Sequence, residues 1–332
     1  MRAHGRFRQA THAGSWYTDD GDTLNHELTT WLDAVQPSDE TFNPPVKGCK
    51  AVIAPHAGYS YSGPAAAWAY KSIDTTGIKR VFILGPSHHV YLDGCALSRC
   101  QEYETPLGNI PLDLDTIKEL KSTGKFSEMS TQTDEDEHSI EMHIPFVRKI
   151  FERLNSMDIS IVPILVGAIN KSKEAAFGRL LAPYLAREDT FCVVSSDFCH
   201  WGTRFSFTHY YPEPPPSDTP AVRLTRSSAL PPTLSTYPIH ESISALDHEA
   251  MDILTIPPST AEKAHEEFAD YLARTKNTIC GRHPIGVLLG ALTFLEQEGH
   301  VIGSQWVRYE QSSQCFTIRD SSVSYASAYV TF

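Results

Sequence analysis

Three apolar runs in this 332-residue chain lead directly into residues that can move protons or bind a metal. Residues 50–54 (KAVIA) run into Pro55-His56-Ala57-Gly58-Tyr59. Residues 80–84 (RVFIL) run into Gly85-Pro86-Ser87-His88-His89. Residues 191–195 (FCVVS) run into Ser196-Asp197-Phe198-Cys199-His200-Trp201. Two neutral imidazoles and one anionic ligand make a three-point face on a metal with positions left open. His56 and His88 are the imidazole candidates. Cys280, in Asn277-Thr278-Ile279-Cys280-Gly281-Arg282-His283-Pro284, is the candidate third ligand. It precedes an apolar helix, whose N-terminus lowers a thiol pKa, and Gly281 allows unusual backbone angles there. Asp197 and His200 are spaced i, i+3, so Asp197 could orient His200 as a general acid or base. The alternative for Asp197 is a cap on the following turn.

Other residues fit supporting or competing roles. His138 and Glu141 are also i, i+3, without the adjacency of a zinc-protease HExxH, and belong around the pocket. His12, in HAGSWY, suits a pocket rim or an anchor for the N-terminal segment. Arg282 could hold a phosphate or carboxylate in a binding pocket, with His283 beside it. Cys280 could instead be a nucleophile with His200 as its base. With 15 histidines, any single one is most simply a core or loop residue. It is the shared placement on three strands that argues for a site.

The elements that must position these groups are short and alternate. Residues 50–54, 80–84, 159–166 and 191–195 read as continuous apolar strands, covered on both faces. Pro163 marks the third as an edge or a bulge. Helical spacing occurs over 24–35, 64–70, 172–185, 260–274 and 284–298, with Pro64 and Pro284 as first-turn residues. Alternating strands and helices point to an α/β sandwich with a mainly parallel or mixed central sheet, in a length that suits one large domain or two small ones. In open α/β sheets ligands sit beyond the C-terminal strand ends, where all three histidine-bearing segments lie. The acidic run 133–137 reads as a solvated helix start. Residues 211–238 are proline-rich and read as an extended or mobile surface insertion.

Composition narrows the function. Lys plus Arg is 28 against 40 Asp plus Glu, a net charge of -12, which disfavours nucleic acid. No apolar run approaches the roughly 18 residues of a membrane span, and no signal peptide is visible. Seven scattered cysteines without CxxC spacing fit free thiols in a reducing compartment, cytoplasmic and also nuclear.

THAGSWY, IAPHAGYSYSG, ILGPSHH, TDEDEHSIEMHIPF, SSDFCHWG, NTICGRHPIGVLL and QSSQC…DSSVSYAS together resemble the MEMO family, mediator of ErbB-driven cell motility. The blocks run in the family's order from residue 11 to about 328. The 211–238 segment departs from the animal members, as in a fungal or other lower-eukaryote relative. The family resembles class III extradiol dioxygenases. The resemblance implies a single-domain α/β sandwich over 1–332, with a central mixed sheet flanked by helices. It also implies a site of His56, His88, Asp197, His200 and Cys280. Dioxygenase iron is held by two histidines and a glutamate, so with Cys280 in place of the carboxylate ring cleavage does not carry over. The implied cofactor is Fe(II), with Cu the alternative. The implied roles are redox or metal homeostasis and signalling to motility and the cytoskeleton. The implied partner is a phosphotyrosine peptide or signalling adaptor. A working dioxygenase-type oxidoreductase and a phosphopeptide module with a vestigial pocket are the competing readings.

Overall fold

The computed structural model describes residues 7–37, 42–152, 159–226 and 231–332. Its large sheet is built from Cys49–Ala54 (β1), Arg80–Pro86 (β2), Cys95–Leu97 (β3), Phe126–Glu128 (β4) and Ser160–Val166 (β5), continuing with Thr190–Ser195 (β6), His200–Trp201 (β7), Gly303–Gln311 (β8) and Ser322–Thr331 (β9). The spatial order is β7-β9-β1-β6-β2-β5-β3-β4, with β8 also paired to β9. β1, β6, β2 and β5 are parallel, while β9 runs antiparallel to β1 and β3 antiparallel to β5. The sheet is therefore mixed, and its parallel centre consists of the four apolar runs evident in the sequence. Apolar residues dominate these strands because helices cover the sheet, so alternation would bury polar groups.

Pro163 lies neither at an edge nor at a bulge. It pairs in regular register with Ile83 on one side, and residues 164–166 pair with β3 on the other.

The flanking helices include Gly21–Ala34 (α1), Tyr59–Lys71 (α2), Lys171–Leu185 (α3), Ile239–Ile253 (α4), Ala261–Thr275 (α5) and Arg282–Gln297 (α6). α2 packs on β1 and β9, while α3 and α6 pack on each other and on β6. Pro64 is interior to α2, which begins five residues earlier than its proline suggests. α3 and α6 approach so closely that a Cβ on Gly178 would lie 2.4 Å from the Val287 carbonyl oxygen. α4, β8 and β9 have no counterpart in the sequence reading.

The acidic run is solvated only in part: Asp136 is exposed, but Asp134 and Glu137 are each 2% exposed. Arg8 reaches them from an N-terminal strand, Phe7–Arg8, and its charge and donors replace water. Nor is the proline-rich segment loose at its ends. Val222–Arg223 pairs with His209–Tyr210, Leu224 and Tyr237 are buried, and the Tyr210 hydroxyl donates to the Tyr237 carbonyl at 2.6 Å. Residues 213–221 between these anchors are exposed; 227–230 lie outside the described residues.

Candidate metal centre

The C-terminal ends of β1, β6 and β2 lie side by side, with β6 in the middle. His56 follows β1, Asp197 and His200 follow β6, and His88 follows β2. Their side chains lean over the β6 end, which brings the rings of His56 and His88 to 5.3 Å. They open into a cleft of about 580 Å³ whose walls include Trp16, Tyr61, His138, Arg204, Phe205 and Tyr325. Arg204 and Phe205 lie outside the sequence motifs, and Tyr61 and Tyr325 lie inside them without being marked as site-forming by the sequence.

Each imidazole has one nitrogen committed. Ser195 Oγ donates to the Ser139 carbonyl at 2.7 Å, so toward His56 it acts as acceptor. His56 Nδ1, 2.6 Å from that oxygen, therefore carries the proton and leaves Nε2 with a free lone pair. His88 Nδ1 lies 2.9 Å from Glu137 Oε1, and the His88 amide donates to Glu137 Oε2 at 2.7 Å. A carboxylate so placed fixes the His88 tautomer and makes the ring a better ligand. His200 donates Nδ1–H toward the Phe198 and Thr278 carbonyls, at 2.9 and 3.1 Å. All three rings thus have Nε2 as the unprotonated nitrogen when neutral.

Cys280 reaches the same place from the other end of the chain. Its Sγ is 3.2 Å from His56 Nε2 and accepts the Asp197 amide at 3.3 Å. Gly281 makes this approach possible: a Cβ there would lie 2.3 Å from the Ser195 carbonyl oxygen. Its φ of −84° is ordinary, so the requirement is space rather than unusual backbone angles.

The electrostatics are those of a desolvated site. Burial, aided by the neighbouring imidazoles, drives His56 well below its usual value, and His138 falls to about 3 for the same reasons. Burial pushes the Cys280 thiol well up, and the Asp197 carboxylate near it adds to this. The helix N-terminus therefore does not create a resting thiolate: the loss of water outweighs it. Burial pushes Glu137 up as well, but the bonds from His88 and Ser139 outweigh that and hold it at about 2.

Among the described residues, three groups bring ligand atoms within 4.8 Å of one another: His56-His88-His138, His56-Asp197-Cys280, and His89-Glu137-His138. His56 joins the first two. His88 lies on its His138 side and Cys280 on its Asp197 side, rather than the three forming one tight trio. His138 stacks on His88 at 4.5 Å and lies tilted against Trp16 at 4.3 Å, a more central position than its sequence context implied.

Several expected placements differ. Asp197 does not hold His200: its Oδ1 accepts the amides of His56 and Ala57, at 2.8 and 3.3 Å, and so fixes the β1 loop. Glu141 turns from the cleft to Arg8, His12 and Tyr17, and His12 is an anchor through its bonds to Glu141. His283 bonds to Glu174 at 2.7 Å, and Arg282 donates to the Ile279 carbonyl; neither lines the cleft. Cys280 is paired with His56, not with His200, so a Cys280–His200 nucleophile pair is not formed.

The Memo family model, described as Memo-like protein, matches residues 8–329. Protein MEMO1 of Mus musculus and of Homo sapiens are each 46% identical over 325 residues, covering 98% of this chain and 97% of theirs. Protein memo-1 homolog of Caenorhabditis elegans is 40% identical over 322 residues, covering 96% of this chain and 81% of its own.

Proposed function

The chain belongs to the Memo-like family, and from that premise we propose that it is a metal-binding protein holding Fe(II), or alternatively Cu, through His56, His88 and Cys280. The observation that supports this most is the pair of committed Nδ1 protons. Ser195 and Glu137 leave two Nε2 lone pairs, and the Cys280 sulfur lies 3.2 Å from the Nε2 of His56, a donor set suited to Fe, Zn or Cu(I). When bound, the ion supplies Lewis acidity and, for iron or copper, one-electron chemistry. The residues do the rest. The Cys280 proton leaves when sulfur binds a cation. Asp197 fixes the loop that carries His56. His200, lining the cleft with its Nδ1 anchored, can accept a proton at Nε2. As the cellular setting of this reading we place redox or metal homeostasis and signalling to motility.

Anaerobic titration with Fe(II) and Cu(I) tests the proposal. The variant His56→Ala/His88→Ala/Cys280→Ser should lose at least about a hundredfold in affinity, because single outer partners alone are worth 10–100-fold. Unchanged affinity would remove the reading.

A second reading, a phosphotyrosine-peptide or adaptor site, draws on Arg204, which lies over Phe205 in the cleft wall beside Trp16 and Tyr61. Peptide anisotropy with Arg204→Ala decides it: unchanged binding argues against an arginine-held phosphate.

A further inference from the structure

The third ligand group uses no residue that the proposed inner site takes as a ligand. His89 is exposed on the loop after β2, Glu137 is buried beneath it, and His138 stands between them and the inner histidines. The rings of His89 and His138 are 6.0 Å apart at 80°, so their edges converge rather than stack. Glu137 Oε1 lies 3.6 Å from His138 Nδ1. This oxygen already accepts from His88 and Ser139, whereas Oε2 accepts from the His88 amide and has a lone pair left. Two imidazoles and a carboxylate form a complete three-ligand set for a divalent first-row ion. His56, by contrast, is only 2% exposed, so an ion reaching it must first pass the cleft mouth.

We propose that His89, Glu137 and His138 form an outer metal site, and that an ion held there moves inward by ligand exchange at His138, which also belongs to the His56-His88-His138 group. The inference rests on the inner-site reading for its second half only. During transfer the bonds to His89 and Glu137 break while bonds to His56 and His88 form. Cys280 then binds as thiolate, giving its proton to solvent, as the bond to His138 breaks. No electron moves.

Co(II) is a suitable probe, because a cobalt–thiolate bond adds a charge-transfer band that nitrogen and oxygen ligands do not. On mixing, the full-length protein should bind Co(II) first without the sulfur band, which then grows in. His89→Ala should slow that growth at least about tenfold while keeping its final amplitude. An unchanged rate, or no band-free phase, overturns the transfer. In His56→Ala/Cys280→Ser one Co(II) per chain should remain, without the band, and adding His89→Ala should abolish it. If the double variant binds no Co(II), or the triple variant still binds one, the outer site is overturned. If only the sulfur band fails to appear in the wild-type protein, the inner reading fails and the outer site stands.

Discussion

Ser195 and Glu137 show how much of the proposed inner site is set by residues outside its ligand set. Neither is a ligand in the proposed inner site, yet each determines which nitrogen of its histidine is free. Ser195→Ala removes the acceptor for His56 Nδ1–H, so both tautomers become populated and the ring is freer to turn. The expected loss in Fe(II) or Cu(I) affinity is about 10–100-fold, with the fold retained; competition titration measures it, and wild-type affinity would discount the tautomer lock. His143 gives a second test, of pH. It is fully buried, Tyr70 sits 2.8 Å from Nδ1, and Nε2 has no partner among the described residues. Burial lowers it to about 3 from 6.5. Unfolded, it binds a proton below about pH 6.5; folded, it does not until near 3. Its contribution therefore removes stability as pH falls through that window, by up to about 1.4 kcal/mol per pH unit. His143→Gln cannot titrate, so between pH 6.5 and 4.5 its unfolding free energy should fall less steeply than wild type by about one proton. Parallel pH profiles from denaturant melts would contradict this.

The next scale is that of the elements carrying these residues, above all the short stretch 131–141. It holds Glu137 and His138, and it is tied down by the N-terminal strand. Arg8 donates to the carbonyls of Asp134 and Glu137, and pairs with Asp134 and Glu141 at 3.2 and 2.7 Å, all buried. Arg8→Met would leave two buried carboxylates without their cation, a change that costs about 3–5 kcal/mol. Equilibrium denaturation should show that loss, whereas a change under 1 kcal/mol would mean the network is not needed. This is also where the sequence was least legible. The acids at 134–137 look like a wet helix face, and nothing local announces an arginine 126 residues away. The histidines at the strand ends were legible, because buried parallel strands are continuous apolar runs and the residues after them must face the ligand edge. β9 was not: Ser322–Thr331 alternates serine, alanine and tyrosine, and its burial depends on bonds such as Ser327 Oγ to the Ala65 carbonyl. α4 escaped notice because its buried face carries Ser242 and Asp247 among Ile239, Ile243, Leu246 and Met251, behind a proline-rich stretch.

At the scale of the whole molecule, the site joins parts of the chain that only the complete sheet brings together. Cys280 and His56 are 224 residues apart, and Val323 and Tyr325 of β9 close one wall of the cleft. An ion bound there should stabilise the entire fold as one unit. At about a hundredfold excess over Kd it adds roughly 2.7 kcal/mol. Scanning calorimetry should show a single transition moving upward with Fe(II); a shift confined to part of a split transition would contradict the coupling. None of the described helices is long and apolar enough to cross a membrane.

The position of β9 between β1 and β7 has a consequence for the order of biosynthesis. A ribosome must have released at least 325 residues before the cleft has its full wall, and 280 before it has its sulfur. A nascent chain therefore offers an incoming ion only loose, incomplete partners. On the metal-binding proposal, loading belongs to the finished protein, which would draw its ion from a donor met after translation ends.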